Sequence, residues 1–241
     1  MPNIQVDTKP SRLVLAGYGG FGRELVGYVQ TMHDGLVAMP RGFGPVAELP
    51  RCIACVDDVD PSELAAHQGV QWIGTFLDYQ SSPGDQVLIA VGSPRTRAML
   101  WQKMLGQNAV FTRFIHPTAI VARSAQIGQG AIIGPFAMIS DDAILGDNVL
   151  VNAFASVGHG ASVGPHSVIS PYAAVLGDAT LGTECFLGTR ATVFPQVQLG
   201  NRCIVDAHSF AKMDVPDDHI VRCRTEYQVI RNRLVDSERK P

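Results

Sequence analysis

Residues 131–163 read AIIGPFAMISDDAILGDNVLVNAFASVGHGASV, and a branched aliphatic returns at every sixth place: Ile133, Ile139, Leu145, Val151, Val157 and Val163. The register runs on in both directions without an insertion. It begins at Ile115, Val121 and Ile127 and continues through Ile169, Val175, Leu181, Leu187, Val193 and Leu199 to Val205, sixteen steps in all. Two places before most of these stands an alanine, as at Ala131, Ala137 and Ala143, and a glycine often follows, as at Gly134, Gly146 and Gly158. Neither the 3.6-residue period of a helix nor the two-residue period of a strand accounts for this. A chain that repeats every six residues can close into a three-sided prism, with a short strand on each side and a turn at each corner. The aliphatic then points inwards, the alanine leaves room for it, and the glycine supplies freedom at the bend. Coils pair as parallel strands about 4.8 Å apart. Sixteen steps give roughly five coils, above the three or so repeats a solenoid needs.

Three hexads make one coil, so residues 18 apart should lie one above the other. Cys185 and Cys203 form such a pair in the inward small-residue column and read as stacked core thiols. The same spacing puts Gly177 over His159, Asp141 under His159 and Asp142 under Gly160.

Length and composition bound the rest. The 241 residues are enough for two modest domains, and the net charge of −3 gives no basic footprint for nucleic acid. No run of 18 apolar residues is present and the N-terminus lacks an apolar signal segment, so a cytoplasmic protein without membrane insertion is expected. Five cysteines argue against a secreted disulfide framework. Cys52 and Cys55 fall within one predicted strand and should point to opposite faces, which leaves no metal site.

Ahead of the hexads the pattern changes. Arg12–Gly17 (RLVLAG) reads as a buried strand, followed by Gly17, Gly19 and Gly22 in G-x-G-x-x-G spacing and a helix from about Arg23 to Met32. This is the strand–turn–helix setting in which backbone and a helix N-terminus approach phosphate. Further strands are expected at Cys52–Val56, ending on Asp57 and Asp58, and at Gln86–Val91, ending on Gly92, with a helix from about Arg95 to Leu105. The predicted class is therefore α/β plus all-β: a small Rossmann-like unit over residues 1–110, a parallel β-helix over 111–213 and a tail over 214–241. Ligand should lie at the carboxyl ends of the strands. A nicotinamide dinucleotide is disfavoured, because the acidic pair comes about 35 residues after the glycine loop rather than about 20. Residues 33–51 are rich in Gly and Pro and read as a loop.

A glycine-loop unit joined directly to an uninterrupted hexapeptide prism resembles the bacterial nucleotide-sugar acetyltransferases of the sialic acid O-acetyltransferase type, within the hexapeptide-repeat acyltransferases. The resemblance covers roughly Arg12 to Met213 and implies a left-handed β-helix, a homotrimer with sites in clefts between neighbouring β-helices, and acetyl-CoA as co-substrate. Asn152, His159 and the pair Val163-Gly164 match the family's catalytic stretch. By that resemblance His159 is the general base, taking a proton from the acceptor amine or hydroxyl; imidazole changes charge nearest neutral pH. The Gly177 N–H would face the thioester carbonyl. Gly19, Gly20, Phe21, Asp57, Asp58 and Gly92 would meet the nucleotide-linked amino-sugar, and Val168, Thr189 and Ala207 the acyl-CoA.

Departures from the family are visible too. Gly160 stands where the family usually carries an acid beside the base, and Asp141, one coil below, is the expected substitute. The family's second histidine is replaced by Val168, with His166 two residues earlier, and His116, His166 and His208 are expected to be structural or peripheral. The tail, with Arg222, Arg224, Arg231, Arg233, Arg239 and Lys240, is expected as a solvated basic helix. Two other functions stay open: an acyltransferase for an amino acid or other small metabolite, and a non-catalytic nucleotide-sensing or assembly protein. A metal-dependent hydratase on the same scaffold would want three histidines at interface spacing, which are not found.

Overall fold

Strand β1 (Arg12–Ala16) is buried on both sides, as the apolar run RLVLA requires. The computed structural model describes residues 12–34 and 49–223. Strand β1 is followed by α1 (Gly20–His33), β2 (Cys52–Val56), α2 (Ser62–His67), β3 (Gln71–Trp72), β4 (Gln86–Ile89) and α3 (Pro94–Leu105). The sheet is parallel with order β3-β2-β1-β4. Leu13 and Leu15 face α1 with Leu25, Val26 and Val29, whereas Val14 and Ala16 face α3 with Leu100 and Met104. The first helix starts three residues before Arg23, at the glycine loop itself. The second helix and third strand are short elements that the periodicity did not announce. Within the sheet, Cys55 is buried and Cys52 exposed, on opposite sides as alternation requires.

From Phe114 the chain forms eighteen two-residue strands, β5 (Phe114–Ile115) to β22 (Ile220–Val221), sorted into three parallel sheets. Face 1 holds seven strands, face 2 six and face 3 five. The 18-residue register holds from Phe114↔Ile132 to Val193↔Ala211. The second residue of each strand points inwards, so Ile133, Val151, Val175, Leu187 and Val205 build one continuous core. Cys185 and Cys203 are both buried in it, and burial pushes the Cys185 thiol up to about 11.

The ladder outlasts Met213. Leu199 bridges Val215 and Val205 pairs Val221, sixteen residues apart, because the corner after Ala211 is two residues shorter. Asp217 and Asp218 then cap the corner at Asn201 and Arg202. Residues 35–48 of the Gly/Pro-rich loop and 224–241 of the basic tail lie outside the described residues.

The glycines after the aliphatics do a different job from the one expected. Gly128, Gly134, Gly146 and Gly158 do not take positive φ; an ideal Cβ on Gly128 would stand 2.5 Å from Asp147 N of the next coil. They give clearance between coils. From Gly130 on, the left-handed residue is the second of the corner, and thirteen such residues are not glycine, among them Phe136, Phe154, Tyr172 and Arg190 at φ 56, 60, 62 and 59.

The α/β layer sits on face 1. There the outward residues Phe114, Ile132, Leu150 and Val168 are at most 2% exposed and share a core with Leu13, Leu15 and Val26. The equivalent positions Ile120 and Met138 on face 2 and Ile144 on face 3 are 58%, 44% and 44% exposed. Arg97, fully buried, ties the layers together. Its guanidinium donates to Ile89 O and Val91 O on one side and to Asn148 O and Asn148 Oδ1 on the other. Trp101 fills the space over Gly130, and the Asn148 amide also meets His166 Nδ1 at 3.0 Å.

Candidate active site

His159 stands at the corner between faces 2 and 3, after the strand Ser156–Val157 and before Ser162–Val163. Its side chain leans over the next coil, so that an ideal Cβ on Gly177 would lie 2.5 Å from the imidazole Cε1 and 2.6 Å from Nε2. Gly177 is therefore the seat of the imidazole. The equivalent corner N–H groups of Gln129 and Thr183 are capped by Asp147 Oδ1 and Asn201 Oδ1, one coil on. Above Gly177 that position is Pro195, which has no acceptor, and among the described residues the Gly177 N–H donates to no group.

Asp141 is in the same column one coil below, but its carboxylate accepts from Ser124 Oγ at 3.1 Å. No hydrogen bond or ion pair joins it to His159 among the described residues. Asn152 is at a different corner, between faces 1 and 2, with its N–H on Ile169 O. Thr189 and Ala207 are exposed at that same corner, one coil apart. Val168 does not belong with them. It is 2% exposed on face 1, under the α/β layer, and cannot line a surface groove. The physical reason is simple: nine residues from the base is one and a half hexads, which leaves the base's corner.

The glycine loop makes the turn between β1 and α1. Gly17 takes φ +104 with no room for a Cβ against Val91, and Gly22 packs on Gly17 O, whereas Gly19 and Gly20 face open space. Helix α1 begins at Gly19 with no side-chain cap and no acid in its first turn, leaving N–H groups and positive potential for an anion. Asp57 holds the loop, accepting from Tyr18 N at 2.7 Å and Val59 N at 3.1 Å. Asp58 accepts from Phe76 N. Phe21 packs against the layer's core rather than standing free. A cavity of about 530 Å³ opens beside Gly92, between the start of α3 at Ser93–Arg95 and the β-helix residues Glu184, Phe186 and Arg202.

Two features escaped the sequence reading. One is that cavity, which depends on how the layers dock. The other is a ladder of exposed rings at the corner between faces 1 and 2: Phe136 on Phe154 at 5.0 Å, Phe154 on Tyr172 at 4.9 Å, with Arg190 over Tyr172. Its members are 18 apart, so the coil spacing would have found it. His116 and His166 sit in packed surroundings against Tyr28 and Trp101, and burial lowers both imidazoles below their ordinary range.

In a three-sided prism each corner faces away from one side. The corner of His159 faces away from face 1, on which the α/β layer sits. Within one chain, then, His159 and the glycine-loop crevice are on opposite sides of the β-helix.

Residues 142–177, which contain His159 and Gly177, match the family described as bacterial transferase hexapeptide (six repeats). The acetyltransferase domain of PglB from Neisseria gonorrhoeae is 26% identical, with a TM-score of 0.75 over 87% of this chain and 95% of that one. Residues 142–177 thus carry the hexapeptide repeat of the bacterial transferases, and the chain as a whole resembles that acetyltransferase domain. Its β-helix is accordingly the left-handed one, and its two-layer build is shared with that acetyltransferase domain. Perosamine N-acetyltransferase from Caulobacter crescentus, solved with CoA and GDP-perosamine, shares the fold at 22% identity, with a TM-score of 0.73 over 90% of this chain and 98% of that one. WeeI from Acinetobacter baumannii does so at 18% identity, with a TM-score of 0.73 over 88% and 99%. None of the curated proteins matches the sequence. Among the described residues no helix is long and apolar enough to cross a membrane.

Proposed function

We propose that this protein transfers an acetyl group from acetyl-CoA to an amine, or a hydroxyl, of a nucleotide-activated sugar in the cytoplasm, with His159 as general base. The observation that carries the reading is the seating of the His159 imidazole over Gly177, beside an N–H that no group uses among the described residues. The gonococcal relative, solved in complex with acetyl coenzyme A, supports the donor. The perosamine enzyme's GDP-perosamine supports the acceptor class.

In this mechanism His159 takes the proton as the acceptor nitrogen attacks the thioester carbon. The Gly177 N–H stabilises the charge that develops on the carbonyl oxygen. The C–S bond then breaks, and the imidazolium returns its proton to the departing thiolate, so His159 ends as it began. Residues 1–110 bind the nucleotide through Gly19, Gly20 and the open end of α1, with Asp57 and Asp58 shaping the loop. The segment 111–213 carries the transfer.

One chain cannot bring these parts together, so the site is completed by a second copy. Large exposed apolar side chains collect on face 2 and the corner between faces 1 and 2: Ile120, Phe136, Met138, Phe154, Tyr172 and Phe210. A cyclic trimer that seats this corner of one copy against the His159 corner of the next buries them. It also brings Asn152, Thr189 and Ala207 of one copy to His159 of the other. The test is thiol release from acetyl-CoA with UDP-, dTDP- and GDP-amino sugars, wild type against His159→Ala. Turnover on one of them that the variant loses is expected; equal turnover in the variant contradicts the reading.

A further inference from the structure

The second position of a corner does not need glycine: at thirteen corners another residue adopts the left-handed conformation there, Arg190 and Phe154 included. Yet it is glycine twice, at Gly130 and Gly160, with φ +67 and +64. At Gly130 the reason is visible, since the Trp101 ring occupies the volume of a Cβ. At Gly160 the occupant is the carboxylate of Asp178, whose Oδ1 lies well inside contact distance of any Cβ placed there.

Four residues thus form a square across two coils. His159 and Gly160 are on one coil, Gly177 and Asp178 directly above on the next, joined by the Asp178 N–H on His159 O at 2.9 Å. The glycines occupy one diagonal and the two titratable side chains the other. The imidazole leans up over Gly177 while the carboxylate leans down over Gly160, in neighbouring columns whose backbones are about 3.8 Å apart along the chain and about 4.8 Å apart between coils, with no direct hydrogen bond or ion pair between the two side chains among the described residues. Among the described residues the Asp178 carboxylate accepts no hydrogen bond and makes no ion pair, whereas that of Asp141 is held by Ser124. The other charged groups of this corner are Arg123, Asp141 and Asp142 on earlier coils and Lys212 and Asp214 on the last one, where the Asp214 carboxylate accepts from Gln198 N.

We propose that Asp178 is the positioning carboxylate of His159, supplying from the next coil the negative charge that stabilises the imidazolium as the base takes up its proton. The inference rests on the role of His159 proposed above. Replacing the carboxylate by an amide removes that negative charge and weakens the base.

The test is the pH dependence of kcat/KM for thiol release by the full chain. Asp178→Asn should lower kcat about tenfold and move the acidic limb down by about one pH unit, with KM for acetyl-CoA within about twofold. Asp142→Asn should leave the limb in place. The exchange variant Gly160→Asp/Asp178→Gly returns a carboxylate to the same volume from the other coil and should restore limb and rate together. A purely structural role would not make the limb follow the carboxylate. An Asp178→Asn profile that coincides with wild type while His159→Asn is inactive overturns the inference alone, as does an exchange variant no better than Asp178→Asn. A His159→Asn enzyme with wild-type turnover overturns the role of the base and this inference with it.

Discussion

The imidazole of His159 covers the Cα of Gly177, one coil above it, so closely that no side chain fits at residue 177. Gly177→Ala should therefore push the ring aside while leaving the coil intact, because φ at this residue is not in the left-handed region. We expect kcat/KM to fall about 10²-fold or more, the usual worth of a general base, with the melting temperature little changed. Steady-state kinetics beside a thermal melt check this. A variant of wild-type rate would mean that the ring's seat is not needed for turnover.

Among the described residues the buried Arg97 has only neutral acceptors, on Ile89, Val91 and Asn148, and burial pulls its pKa down to about 9. Arg97→Met strands those acceptors between the layers. We expect a loss of roughly 3 kcal/mol, or about 6–12 °C in the melting temperature. Asn148→Ala should act in the same direction, and the double variant should cost less than the two together, since they share one network. Simple addition of the two losses would argue against the shared network.

Asp85 is 3% exposed and receives Arg12 Nε at 2.9 Å, Arg12 Nη2 at 2.8 Å, Ser82 N at 3.0 Å and Tyr79 OH at 3.2 Å. Desolvation pushes its pKa up, but the hydrogen bonds from Arg12 and Ser82 outweigh it and hold the carboxyl below its usual range. A depressed carboxylate stabilises the fold above its unfolded pKa of about 3.9 and loses that contribution as pH falls. Urea midpoints should therefore drop between about pH 5 and pH 3. In Asp85→Asn the protein should be weaker by roughly 2 kcal/mol at pH 7 and the drop shallower. An identical pH dependence in the variant would remove Asp85 from the account.

The β-helix was legible because one residue in six must fill a narrow core, and that demand leaves its mark on every coil. Strands such as Leu150–Val151 and corners such as Gly158–Ala161 follow from it residue by residue. The glycine loop was legible for a similar reason, since Gly17 and Gly22 are fixed by close backbone contacts. What the hexad did not carry was anything set between layers or between corners. Val168 looked available in one dimension and is buried once the α/β layer is placed on face 1. Asp141 satisfied the 18-residue spacing, yet its carboxylate turns to Ser124. Asp178 stands 19 residues after His159, over Gly160, and so falls one place off that spacing.

The central claim is that His159 of one copy works on a sugar held by the glycine loop of another. Two variants, His159→Ala and Gly20→Trp, should each be inactive, the second by filling the open side of the crevice beside α1. Mixed oligomers made by refolding or co-expressing the two in equal amounts decide the matter, with acetyl-CoA thiol release as the readout. A site that draws its halves from different chains should recover roughly a quarter of the wild-type rate, as random pairing of independent halves requires. Mixed oligomers that stay inactive would place both halves in the same chain and contradict the account.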